Sequence, residues 1–210
     1  MGGIHMSKLT VYLARHYDDL LEALLEHLQI TAVTLLFSLL IASALTVLAI
    51  YSKKTGEILV HIFSVLYSVP SLAMFAFLIP VTGLGKTTAV IVLVVYNQYL
   101  LLRNFISGLY GVEPAVVEAA EGLGMRRMQV LCQIRIPLAK RALFTGIQLA
   151  VVSTIGIATI AAMINAGGLG TILFDGLRTL NVYKIVIGSI LSAGLAVGIN
   201  ALFKVAERRM

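Results

Sequence analysis

"EAAEGLGMRRMQVLCQIRIP", residues 118–137, is the stretch on which the fold turns. It holds two glutamates, three arginines and two glycines in twenty residues, between flanks apolar enough to be membrane. Lipid leaves charged side chains unsolvated, so a polar, helix-competent segment of this kind has to lie outside the bilayer. The spans are therefore counted outward from it.

The composition agrees with that start. Of 210 residues 59% are hydrophobic and 12% charged, with a mean hydropathy of +0.97. A soluble domain is about half apolar and about a quarter charged. A 22.6 kDa globule could not hide the excess in one core, because its surface still has to be covered with polar groups. The net charge of +6 is not arranged as basic patches interleaved with aromatics, which argues against nucleic acid as a partner. In a membrane chain, surplus Lys and Arg set topology. Cys132 is the only cysteine, which excludes a disulfide framework and a cysteine metal site. Residues 1–6 read as an expression scar, and no cleavable signal peptide is visible.

Five apolar runs stand out: Leu28–Ser52, Ile58–Gly85, Thr87–Leu102, Ala142–Phe174 and Ile185–Phe203. A spanning helix needs about 20 residues at about 1.5 Å each. Four runs meet that. The third reaches only ~24 Å, but Lys86 and Arg103 can snorkel to the two interfaces. The sequence thus predicts an all-α, polytopic membrane protein of about five transmembrane helices over 28–210. Pro70 and Pro80 should bend or break the second. Small residues within the spans, such as Gly146 and Gly188, mark faces of close helix packing.

With the N-terminus outside, the inner segments hold eleven Lys and Arg and the outer ones five. The positive-inside rule then places 113–137 in the cytoplasm together with the C-terminus, in a cell or inner membrane. Before the first run, Leu9, Leu13, Tyr17, Leu20, Leu21 and Leu24 recur at helical spacing, with Asp18, Asp19, Glu22 and Glu26 mostly between them. This predicts an outer amphipathic lead-in helix over 7–27.

Signs of chemistry are weak. "GLGKTT" (83–88) looks like the end of a phosphate loop, but Pro80 stands where the first glycine is needed and no strand precedes it, so it reads as a turn. "AGGLG" (166–170) reads as a bend leading into an outer re-entry, 171–180. No set of residues suits catalysis or a metal. Asn97, Gln98 and Gln148 are polar inside spans, which leaves two readings open: hydrogen bonds between helices, or the lining of a polar path.

Within 113–137, Glu113 and Pro114 suit a helix start, and Gly122 and Gly124 a helix end. A second short helix is expected through Met128 and Leu131 to Pro137. Two short helices hinged at glycine would form a knob that fits a groove on a soluble partner.

Here the chain resembles the permeases of ATP-binding-cassette importers. Their cytoplasmic motif is EAA, three residues, G, nine residues, I, one residue, L-P. This chain has Glu118, Ala119, Ala120, Gly124, Ile134, Ile136 and Pro137 at those spacings, with Ile136 in place of leucine. "SVPSLAMFAFLIPVTGLG" (68–85), "LLRNFISGLYGVEPAVVEAAEGLGM" (101–125) and "AAMINAGGLGTILFDGL" (161–177) are similar to osmoprotectant permeases, which move glycine betaine, carnitine and choline.

The resemblance implies a type I importer permease fold with no catalysis in this chain. ATP and Mg would be bound by cytoplasmic ATPase subunits. Further partners would be an extracellular substrate-binding protein or fused domain, and a second permease subunit, in a homo- or heterodimer. The seven motif residues would couple to the ATPase. Asn97, Gln98 and Gln148 are the candidates for lining the path, because neutral polar groups can pass a cation without trapping it. The other reading, a channel or secondary carrier gated by the 113–137 loop, lacks the inverted repeat and intramembrane acids that coupling to an ion requires.

Overall fold

The computed structural model describes Tyr12 and residues 14–208, so the 1–6 segment and most of 7–13 lie outside the described residues. The described chain is helical, with no strand. Helix α1 spans Tyr17–Ile50, 34 residues without a Gly or Pro to interrupt them. Of the lead-in expected over 7–27, Tyr12, Ala14 and Arg15 are helical, His16 is a bend, and residues 17–27 run on into the first span as part of α1. At about 51 Å the helix exceeds a ~30 Å hydrocarbon core, so one end must project from it.

The packing of α1 inverts that of a soluble helix. Its buried stripe is short or polar (Ala23, His27, Thr31, Thr34, Ser38, Ala42, Thr46 and Ala49, with Ile30), whereas Leu36, Phe37, Leu40 and Leu48 point outward. Lipid solvates leucine as well as a core does, so close approach of small residues and hydrogen bonds between helices are what hold them together.

The run expected as one second span is two helices, α2 (Lys53–Ser68) and α3 (Ser71–Thr82), bent by 95°. Pro70 supplies the break. It has no N–H to continue the helix, and it drives the preceding Val69 to an extended ψ of 132°. Pro80 lies inside α3 without ending it. Helix α4 (Lys86–Tyr110) is the central post, packed on α1, α2, α3 and the helix after the 113–137 segment. Its 25 residues run past Arg103, so it is a full-length span and not the short one expected.

After α5 (Pro114–Gly122), a turn of helix at Arg127–Gln129 and a wider π-type turn at Val130–Arg135 lead directly into α6 (Ile136–Ala161). The second short helix expected to finish at Pro137 does not finish there. Pro137 cannot donate a backbone bond and its ring crowds the carbonyl four residues back, a conflict that the wider turn just before it relieves. Amphipathic α7 (Gly170–Arg178) and the last helix, α8 (Val182–Glu207), complete the chain. Asn181 caps α8 by accepting from the Tyr183 and Lys184 N–H groups at 3.0 and 3.3 Å. The Lys184 ammonium pairs with Asp175 and ties α7 to α8. Four helices are long and apolar enough to cross a membrane alone, and the bent α2–α3 pair can count as a fifth.

Candidate functional site

The 113–137 segment is built on an apolar cluster at one end of the bundle. Val117 and Ala120 of α5 meet Leu109, Val112, Val130, Leu131 and Ala139, with Ile134 packed alongside. Pro114 opens α5, and Gly124 turns the chain after it at φ 83°, a conformation that residues with a Cβ resist. Gln129 then caps the next turn, its side-chain oxygen accepting from the Arg126 N–H at 2.7 Å.

This arrangement divides the seven motif residues. Ala120, only 5% exposed, and the half-buried Ile134 face the chain's own core. Glu118, Ala119, Gly124, Ile136 and Pro137 are exposed. The two alanines thus have different tasks. Ala120 is small because the helix lies on its own subunit there; Ala119 stands on the free side with Glu118 and the 85% exposed Leu123.

Nothing in the sequence pattern singles out Arg135, yet it anchors the whole segment. Its Nη1 donates to the Leu109 carbonyl at 3.0 Å, and its guanidinium lies 5.4 Å from the centre of the Tyr110 ring. Tyr110 in turn donates to the Ala49 carbonyl at 2.8 Å. A cation at the C-terminal end of α4 is where the helix dipole favours one. The chain of contacts ties α1, α4 and the 113–137 segment together.

The intramembrane polar residues do not share one site. Asn97 and Gln98 are 1% and 2% exposed. Asn97 Nδ2 donates to Thr154 Oγ1 at 2.9 Å and Ser38 Oγ at 3.2 Å; Gln98 Nε2 donates to the Val94 and Ser38 carbonyls at 3.1 and 3.3 Å. They knot α1, α4 and α6 inside one subunit, an arrangement that fits hydrogen bonding between helices. Gln148 is apart from them, half-buried, donating to Asn200 of α8 at 2.6 Å.

The two glycine motifs meet at the far end of the bundle. Lys86, the lysine of GLGKTT, pairs with Glu26 Oε1 at 2.8 Å, and Glu26 Oε2 accepts from the Gly168 N–H at 3.0 Å. A Cβ on Gly168 would lie 2.9 Å from His27 Nδ1, so the AGGLG loop rests directly on α1. Lys86, the first residue of α4, serves here as a clamp between α4, α1 and the AGGLG loop.

The fold and this segment define a class. Residues 34–210 match the family described as binding-protein-dependent transport system inner membrane component. The chain belongs to that family: it is a multi-pass membrane subunit of an ABC importer. It is 32% identical over 205 residues, 98% of this chain and 94% of the relative, to the choline transport system permease protein OpuBB of Bacillus subtilis (strain 168). It is 37% identical over 147 residues, 70% of this chain and 27% of the relative, to the ergothioneine transport permease/ergothioneine binding protein EgtU of Helicobacter pylori (strain G27). Among solved structures it is similar in fold to a chain from the inward-facing MetNI methionine ABC transporter. That match has a TM-score of 0.83 and 21% identity, and covers 90% of this chain and 95% of that one.

Proposed function

We propose that the chain is one of two permease subunits through which ATP-driven import of a small quaternary ammonium solute takes place. The observation that supports this most is the two-sidedness of α5. Val117 and Ala120 fix it rigidly to its own bundle, while Glu118, Ala119 and Leu123 lie bare on the other side. A helix held in this way passes any displacement straight to α4 and α6, on whose ends it sits. The partner that would move it is a cytoplasmic ATPase subunit, which binds the ATP and Mg, and the α5 end of the bundle is the cytoplasmic one. An extracellular binding protein, separate or fused, delivers the solute. The proposed class of solute rests on the relatives: choline and ergothioneine both carry a trimethylammonium group.

The test is uptake of labelled choline, glycine betaine and carnitine by the assembled complex in vesicles, beside ATPase activity. Ala119→Arg on the free side should abolish uptake and detach the ATPase while the membrane domain keeps its wild-type melting temperature. Gly124→Val, at a positive φ, should uncouple hydrolysis from uptake. Ala120→Arg, by contrast, would disrupt the segment itself. Normal coupled uptake by both Ala119→Arg and Gly124→Val would refute the coupling role of α5. Failure of all three solutes would refute the substrate class alone.

A further inference from the structure

The outward faces of α1 and α8 are what lipid requires. Leu36, Leu40, Ile190, Val197 and Leu202 are each about 60–70% exposed or nearly so (58%, 61%, 61%, 68% and 70%), and no charge interrupts α1 from Leu28 or α8 between Ile185 and Phe203. One surface breaks that pattern. Between α2 and α4 runs a groove of about 420 Å³, within the ~300–1,000 Å³ range of small-molecule sites. Glu57, His61 and Ser64 line it from α2, and Tyr99, Arg103 and Ser107 from α4. These spacings of three and four place each set on one stripe of its helix.

Two features show what the groove is suited to hold. Arg103 Nη1 donates to Tyr99 Oη at 2.8 Å, and among the described residues neither Arg103 nor Glu57, in the same groove, makes an ion pair. Opposite charges that share a groove without reaching each other leave room for a ligand that carries both. The upper end is aromatic. Tyr99 is backed by Tyr67, ring centres 5.0 Å apart, and Tyr67 by Tyr96 at 5.5 Å. Tyr96 also donates to the Val69 carbonyl at the α2–α3 break. These rings continue from the end of the groove toward the break at Pro70.

We propose that this groove is the α5-side half of the solute path and that it takes a zwitterion. The carboxylate goes to Arg103, whose guanidinium already lies 5.8 Å from the centre of the Tyr99 ring, and the quaternary ammonium group goes toward Glu57. This deepens the importer reading above and rests on it. Asn97 and Gln98 do not take part, since they are sealed on the other side of the same helix.

Two measurements on the complete transporter test it. In a Cys132→Ser background, Ser64→Cys should react with a charged, water-soluble methanethiosulfonate reagent in inside-out vesicles, and glycine betaine should slow the reaction. Reaction only with a lipid-soluble maleimide would place the groove against lipid, and reaction with neither would place it in a sealed contact between subunits; each overturns the path. The second measurement compares solutes. Arg103→Gln should reduce uptake of glycine betaine about tenfold more than uptake of choline, which has no carboxylate, and Arg103→Lys should recover part of the loss. Equal loss for both solutes would overturn the assignment of Arg103. If the wild type imports neither, the solute class fails, while the thiol labelling still decides whether the groove is an aqueous path.

Discussion

Asn97 and Gln98 are followed immediately by Tyr99, and Arg103 comes one turn later, yet these residues have opposite fates. The first two are enclosed and bonded to Ser38 and Thr154; the other two open onto the groove beside α2. A step of one residue turns a side chain by about 100°, enough to pass from the α1–α6 side of α4 to the α2 side. Polarity within a span therefore has two meanings. Toward other helices of the same chain it is a fastening, satisfied internally and silent toward solute. On an open side it needs water or a ligand, because lipid offers it nothing. The comparison predicts that stability and transport can be altered separately from the two sides of this one helix.

The largest expected effect is on the sealed side. A Cβ on Gly146 would lie 2.8 Å from Asn104 Cβ, and one on Gly108 would lie 2.5 Å from Ala142 Cβ, so α4 and α6 touch through reciprocal glycines. Gly146→Val should cost about 2–3 kcal/mol and lower the melting temperature in detergent sharply. A variant as stable as wild type would mean that the sealed side is not tightly packed.

Asn97→Leu comes next. It removes the partner of Ser38 and Thr154, and bonds of this kind in membranes are worth about 0.6 kcal/mol each on average. A loss of about 1 kcal/mol in stability is expected, with the KM for solute unchanged in the folded fraction. A changed KM at normal stability would return Asn97 to the path.

On the open side, Tyr99→Phe should alter stability by only a few tenths of a kcal/mol, since the hydroxyl it loses meets an exposed Arg103. Its effect should appear as a higher KM instead, through a less constrained Arg103. Lost stability without a change in KM would erase the distinction between the two faces.

The smallest effect is expected away from both faces, at α7. The Lys184 ammonium beside Asp175 holds its carboxyl below the usual carboxylate range. A depressed carboxyl stabilises the fold above its unfolded pKa and loses that contribution as the pH falls through the lowered value. Asp175→Asn should thus lower the melting temperature barely measurably at neutral pH, and by less as the pH falls through the lowered carboxyl pKa. A difference that grows toward acid would contradict the pair.

Much of the fold was legible. Long apolar runs fix helices because a backbone in lipid must satisfy its own hydrogen bonds, and Pro70 marks a real break. Other punctuation misled. Pro80 ends nothing, and Pro137 begins a span where a stop was expected, because a π-type turn absorbs its missing bond. The spacing of the EAA motif located α5 but could not tell Ala119 from Ala120. Both are helix-compatible alanines, and only contact with Val130 and Leu131 makes one of them internal. Arg135 was invisible for a similar reason, since its partners, Leu109 and Tyr110, lie about 25 residues earlier in the chain.

By itself the sequence determined that this chain is a helical membrane protein, where its polar segment lies, and which importer family it belongs to. The first two follow from local composition and periodicity, each a matter of neighbours along the chain, and the family from the resemblance carried by the EAA motif and the stretches around it. Only the tertiary structure decided which side of α4 is closed and which is open. It also decided that α1 is one continuous helix and that α5 has an anchored and a free face. Those depend on where α2 and α6 lie around α4, and a helix exposes every side chain equally until another helix covers one of its faces.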